Sequence, residues 1–215
     1  MRIPEETKLY LVITEEYAKA RSAFDVAKAA LAGGADIIQM REKDKPQEEL
    51  IGLGQKLARL CNDKGAIFIV NNDPFIAKAS GADGLHLGQE DMQKFPIKEA
   101  RRIAGPGKII GVSTHSLEEF ILANEGDADY IAFGPIFETK TKGYHIGADG
   151  ISEVAKIARK PVFFIGGINL SNVGDVLRRG AGRIALIRGI TEAGDITSRT
   201  KEFKDILMRK EASRW

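Results

Sequence analysis

Short apolar runs alternate along this chain with longer segments of helical period, the pattern left by a parallel sheet whose strands are linked by helices. The apolar runs predict eight strands: Leu9–Ile13, Ile37–Arg41, Ile67–Asn71, Gly84–Leu87, Ile109–Ser113, Tyr130–Phe133, Val162–Ile165 and Ile184–Ile187. Helical segments fall between and after them, starting near Ser22, Pro46, Asp73, Pro96, Ser116, Gly150, Ser171 and Thr197. Ser116 followed by Glu119 fits a capping box, in which serine and glutamate each satisfy an otherwise unpaired backbone donor. Four stretches echo one another: GADIIQM, GADGLHL, DADYIAF and GAGRIAL, starting at residues 34, 81, 127 and 180. In each, a glycine- or aspartate-rich cap ends a helix and a strand begins at once. The starts are 47, 46 and 53 residues apart, so each interval holds two strand-helix units. Four such pairs make a (β/α)8 barrel, the TIM barrel. The rival, an open doubly wound sheet, would carry G-x-G-x-x-G after its first strand, and that fingerprint is missing.

Composition adds bounds. The chain has 215 residues, 43% of them hydrophobic and 29% charged, which suits one domain spanning residues 1–215. A net charge of +2 with acids and bases interspersed provides no basic stripe, so nucleic acid is not an expected partner. The start, MRIPEETKLYLVIT, lacks the layout of a secretion signal, and no apolar run is long enough to span a bilayer. A cytoplasmic location and no membrane partner are expected; homo-oligomer formation is left open. The single cysteine, Cys61, lies in a helical pattern with Leu50, Leu53, Leu57 and Leu60, and is expected to be buried and inert.

Barrels of this kind place ligands at the carboxyl ends of their strands, and polar residues cluster there. In QMREKDKP, Gln39, Arg41 and Lys43 alternate with Ile38 and Met40, so the polar three share one side of an extended chain. Two cations and an amide suit an anionic, oxygen-rich ligand, or else a solvated strand end. Strands three and four end in IVNNDP and HLGQED, bringing Asn71, Asn72, Asp73, Glu90 and Asp91 onto neighbouring loops, a plausible oxygen donor set for Mg2+. Asp73, before a proline and an apolar helix, also reads as a helix cap. Ser113, Thr114 and His115 end strand five without the G-x-S-x-G of an activated serine. His86, between Leu85 and Leu87, reads as a packed structural histidine, and His145 as solvent-facing. Gly166 and Gly167 after strand seven, with Arg188 and Gly189 after strand eight, suit a phosphate. The loop FGPIFETKTKGYH, with Thr139, Thr141 and Lys142, can reach both anion sites.

The ordered set Q-M-R-E-K, V-N-N-D, H-L-G-Q-E-D, G-V-S-T-H-S, G-P-I-F-x-T-x-T-K and I-G-G-I resembles the thiamine phosphate synthase family over nearly the whole chain. The resemblance implies a transferase that joins hydroxymethylpyrimidine pyrophosphate to hydroxyethylthiazole phosphate and releases pyrophosphate, with Mg2+ as cofactor. It implies that Gln39, Arg41, Lys43, Asn71, Ser113 and Lys142 hold the pyrimidine substrate and its pyrophosphate. Of these, Arg41, Lys43, Ser113 and Lys142 would serve catalysis. Thr139, Lys140 and Thr141, with Gly167, Ile187 and Arg188, would line the thiazole phosphate pocket. Asn72 and Asp91 would hold the metal, Asn72 standing where the family usually has a carboxylate; Arg188 stands where it commonly has serine. Two other readings remain at this stage. A thiazole tautomerase of the same architecture would use His115 as general base; a non-catalytic regulator would bind the thiazole phosphate, with LMRKEASRW contacting a partner. Lys43, Asp91 and Lys142 favour the synthase, because an isomerase has little use for a pyrophosphate grip.

Overall fold

In the computed structural model, which describes residues 2–139 and 143–212, eight parallel strands close in sequence order into a barrel. They are β1 (Leu9–Ile13), β2 (Ile37–Met40), β3 (Ile67–Asn71), β4 (Gly84–Leu87), β5 (Ile109–Thr114), β6 (Tyr130–Phe133), β7 (Val162–Ile165) and β8 (Ile184–Leu186). The helices are α1 (Ala23–Ala32), α2 (Gln47–Asp63), α3 (Pro74–Ser80), α4 (Gln89–Lys94), α5 (Ile97–Ala104), α6 (Leu117–Glu125), α7 (Gly150–Ile157), α8 (Val173–Arg178), α9 (Arg188–Thr191) and α10 (Ile196–Ala212).

Three strand ends differ from the expected ones by a residue. Strand β2 stops at Met40 although the Arg41 N–H still reaches Ile13 C=O at 2.9 Å, so Arg41 is held beside β1. Strand β5 runs on to Thr114, whose carbonyl accepts from Gly134 N–H at 3.1 Å. Strand β8 ends at Leu186, one residue early, because α9 begins at Arg188. Short α4 and α9, and a 3-10 turn at Glu15–Tyr17, are additions to the expected helices. The six residues of α4 are fastened by Asp91, whose Oδ2 accepts the Gly88 N–H at 2.7 Å.

Two apolar layers follow from the alternation of side chains across each strand. Tyr10, Ile37, Ile67, Ile69, Ile109, Tyr130 and Phe163 fill the inside of the barrel. Leu9, Leu11, Ile38, Met40, Phe68, Val70 and Leu85 point outward against the helices. Tyr130 occupies space that only a glycine opposite it leaves free: a Cβ on Gly111 would fall 1.9 Å from the Tyr130 ring.

Three of the four echoed stretches do a common job at the amino-terminal rim. Asp36 Oδ2 accepts the N–H of Lys8 and of Leu9, Asp83 Oδ2 accepts that of Phe68, and Asp129 Oδ2 accepts that of Ile110, all at 2.8–2.9 Å. In the fourth, Arg183 donates to Thr7 C=O at 3.0 Å. Asp73 caps α3, accepting from Phe75 and Ile76 N–H at 2.8 and 3.1 Å. At α6, Ser116 Oγ accepts the Glu119 N–H at 3.2 Å, but Glu119 Oε2 takes the His115 N–H at 2.6 Å, one residue earlier than a capping box requires. Cys61 is fully buried, and burial pushes its thiol up to about 12, so it is inert as expected. No helix among the described residues is long and apolar enough to cross a membrane.

Candidate active site

The carboxyl ends of the strands surround one cavity of about 1120 Å³. Small-molecule pockets run to roughly 300–1,000 Å³, so this mouth lies at the large end of that range. Every expected site residue that the structure describes lines it: Gln39, Arg41, Lys43, Asn71, Asn72, Asp91, Ser113, Thr139, Gly167, Ile187 and Arg188. Lys140, Thr141 and Lys142 lie outside the described residues.

One wall is cationic. After β2 the chain offers three basic side chains, of which Lys45 is paired with Glu15 at 2.9 Å. Arg41 and Lys43 face the cavity with no ion-pair partner among the described residues, so their charge is available to a ligand. The opposite wall is the glycine turn after β7. Gly167 has φ +65°, a left-handed conformation that glycine adopts without penalty, and a Cβ there would come within 2.6 Å of Glu138 C=O. The carbonyl of Gly167 accepts the side-chain amide of Asn172 at 2.9 Å, which fixes the turn. Arg188, at the end of β8, is engaged: its Nε meets Glu192 Oε1 at 2.6 Å, and its guanidinium lies 5.6 Å from the Tyr17 ring. Its charge is therefore shared with Glu192.

Asn72 and Asp91 supply hard oxygen donors on adjacent strand ends. Asn72 is left-handed at φ +69°, a conformation that asparagine and aspartate tolerate better than most residues, and its N–H donates to His86 C=O at 2.8 Å. Asp91 spends Oδ2 on Gly88 and keeps Oδ1. No cluster of three acidic, histidine or cysteine side chains occurs among the described residues. One carboxylate and one amide still fit Mg2+, which commonly takes only one or two protein ligands and completes its shell with water and substrate phosphate.

The cavity floor holds residues that the sequence pattern did not single out. Gln39 Nε2 donates to Tyr10 Oη at 2.5 Å, and Tyr10 Oη meets Tyr130 Oη at 2.9 Å. His86 Nδ1 lies 3.0 Å from Tyr130 Oη, and its Nε2 lies 2.8 Å from Ser113 Oγ. His86 is buried and packed, as expected, but it also touches the site. Burial, then the nearby His115 and Arg41, lowers it to about 4. Burial likewise raises both tyrosines, so all three side chains are neutral near pH 7. His115 Nδ1 donates to Gly134 C=O at 2.5 Å, and its ring meets Tyr144 edge-on at 6.0 Å. His145 is exposed. Register, not sequence, brings Tyr10 to this floor: Gln39 faces inward beside Val12, two positions along from Tyr10 on β1.

A mouth with separate cationic and glycine-lined walls over a neutral polar floor places the chain among barrel enzymes for phosphorylated small molecules. Residues 9–190 match the family model described as thiamine monophosphate synthase, and the chain belongs to that family. It is 41% identical to the thiamine-phosphate synthase of Methanospirillum hungatei over 203 residues, which covers 93% of this chain and 97% of the relative. Against the thiamine-phosphate synthase of Moorella thermoacetica it is 39% identical over 204 residues, 94% and 96% of the two chains. The solved structure of thiamine phosphate pyrophosphorylase from Pyrococcus furiosus superimposes with a TM-score of 0.87 at 36% identity, covering 95% of this chain and 97% of that one.

Proposed function

We propose that this barrel joins hydroxymethylpyrimidine pyrophosphate to hydroxyethylthiazole phosphate, giving thiamine phosphate and pyrophosphate. The observation that carries the reading is the single cavity with two anion-suited walls, in a chain of this family. The pyrimidine substrate lies against Gln39, Asn71 and Ser113, its pyrophosphate toward Arg41, Lys43 and Lys142. The thiazole phosphate lies toward Thr139, Lys140, Thr141, Gly167 and Ile187, with Arg188 at its edge.

The bond that breaks joins the pyrimidine methylene carbon to a pyrophosphate oxygen, and its electron pair leaves with pyrophosphate. Negative charge grows on that oxygen as the bond lengthens. Arg41 and Lys43, already in position, stabilise it more in the transition state than in the ground state, which is what lowers the barrier. The thiazole nitrogen donates its lone pair to the cationic carbon and forms the new carbon–nitrogen bond. No protein nucleophile is needed. Asn72 and Asp91 would hold Mg2+, which when bound adds positive charge beside the leaving pyrophosphate. A cytoplasmic site of action fits this reading.

The test is to incubate the purified protein with both substrates and Mg2+ and to follow thiamine phosphate and pyrophosphate, with a parallel assay of thiazole isomerisation. The expected result is stoichiometric release of both products, with Lys142→Ala removing synthesis far more than any isomerisation. Isomerisation without synthesis would replace this reading with the tautomerase, and ligand binding with neither activity would replace it with the regulator.

A further inference from the structure

We propose that Gln39, Tyr10, Tyr130, His86 and Ser113 form a one-directional hydrogen-bond relay across the barrel floor, in which the two tyrosines and His86 are positioning residues. The relay fixes a hydrogen-bond donor at Ser113 on β5 and an acceptor at Gln39 on β2, both lining the cavity. The inference rests on the reading above that these two residues hold the pyrimidine.

The direction follows from counting protons. Gln39 donates to Tyr10 Oη, so the single Tyr10 proton is left for Tyr130 Oη. Tyr130 then has one proton to give, and its remaining partner is His86 Nδ1. A neutral imidazole that accepts at Nδ1 carries its proton on Nε2, which donates to Ser113 Oγ. Ser113 has then accepted within the protein and turns its own proton to the cavity it lines. With the Gln39 amide turned as it is, Nε2 toward Tyr10, the opposite direction would have Tyr10 accept from both neighbours. Its proton would then have no acceptor among the described residues, in a side chain only 1% exposed, and an unmade buried hydrogen bond is costly.

Packing holds the row in place. The Phe163 ring stands edge-on to Tyr10 at 5.2 Å and to Tyr130 at 5.7 Å, and Gly111 leaves the space that Tyr130 fills. With one amide N–H spent on Tyr10, Gln39 presents its carbonyl oxygen to the mouth. An aminopyrimidine offers the complement, an amino donor and ring-nitrogen acceptors. The two groups are thereby coupled: a change at Gln39 alters what Ser113 offers.

Gln39→Glu tests this directly. At a pH where the new carboxyl is ionised it has nothing to donate, so Tyr10 must give its proton to it, Tyr130 must give to Tyr10, and His86 must give from Nδ1. Ser113 then donates inward to Nε2 and its proton is withdrawn from the cavity. Nitrogen-15 NMR of the imidazole reads this exchange; the chain has three histidines, and H115N and H145N backgrounds assign His86. The expected result is an Nε2–H ring in the wild type and an Nδ1–H ring in Q39E. A wild-type ring protonated at Nδ1, or a Q39E ring that does not exchange its proton site, would overturn the relay.

A kinetic arm uses Tyr130→Phe, which keeps the ring and cuts the row. The expected result is a KM for the pyrimidine pyrophosphate raised about tenfold, with the KM for the thiazole phosphate within about twofold of wild type. Equal changes in both would mark a merely structural tyrosine and overturn its positioning role. The NMR arm needs no turnover. Absence of synthesis with the expected tautomers would remove the functional reading and leave the relay, whereas synthesis with the wrong tautomer would remove the relay alone.

Discussion

The two ends of the barrel use their most prominent charged residues in different ways. At the amino-terminal rim, Asp36, Asp83 and Asp129 are consumed by backbone N–H groups of the preceding strand. Cations close over two of them: Lys204 meets Asp36 at 2.6 Å and Arg101 meets Asp129 at 2.9 Å. At the carboxyl-terminal rim, Arg41 and Lys43 have no such partner among the described residues and face open volume. A charge satisfied by its own chain stabilises the fold. A charge left facing a cavity contributes little to folding and is available to stabilise a ligand. The difference lies in geometry, because each rim aspartate directly precedes its strand and meets main-chain donors, whereas Arg41 and Lys43 follow theirs.

If that division holds, substitutions at the two rims separate activity from stability. The largest effect is expected at the open rim. Arg41→Ala and Lys43→Ala should each lower kcat/KM for thiamine phosphate formation by about 10²–10³-fold, because each removes a preplaced charge from the leaving group. Melting temperatures should stay near wild type, since neither residue pairs within the described protein. A variant that loses stability in step with activity would break the contrast.

Asp36→Ala should do the reverse. It strands two backbone donors and the Lys204 ammonium, and should lower unfolding free energy by about 2–3 kcal/mol in urea titration. The folded fraction should keep wild-type kcat. Asp83→Ala, which serves one backbone donor, should cost about half as much.

The strands were legible in the sequence because short apolar runs and the echoed glycine- or aspartate-rich stretches are local signals; the grip of the rim aspartates on the strand before was not read from them. The inward set at β2 was legible too, since Gln39 and Arg41 break an apolar alternation. Tyr10 and Tyr130 were not. Both lie in strands buried on both faces, β1 and β6, where hydrophobicity does not tell the inside of the barrel from the outside. Only register supplies that distinction, by setting Tyr130 beside Gly111 and Val12 beside Gln39. The pairing of Arg188 with Glu192 was hidden for a related reason. It is an i,i+4 contact spanning the four-residue α9, an element too short to leave a periodic trace.

The smallest expected effect sharpens the contrast within the open rim itself. Asn72 and Asp91 stand on adjacent strand ends, but only Asp91 brings negative charge, and it already holds the Gly88 N–H. Asn72→Asp keeps a side-chain oxygen of the same reach, and aspartate tolerates the left-handed backbone at φ +69°. The bond from residue 72 N–H to His86 C=O is made by the main chain and survives the change. What changes is charge: a second carboxylate repels Asp91 without a metal and attracts Mg2+ with one. Isothermal titration with Mg2+ in the presence of pyrophosphate should give binding tighter by about three- to tenfold, on the order of 1 kcal/mol. Without added Mg2+, Asn72→Asp should weaken pyrophosphate binding, because the extra charge faces the same anion that Arg41 and Lys43 attract. Tight Mg2+ binding by the wild type with no gain on substitution would mean that residue 72 does not touch the metal, leaving Asp91 and the substrate phosphates to hold it.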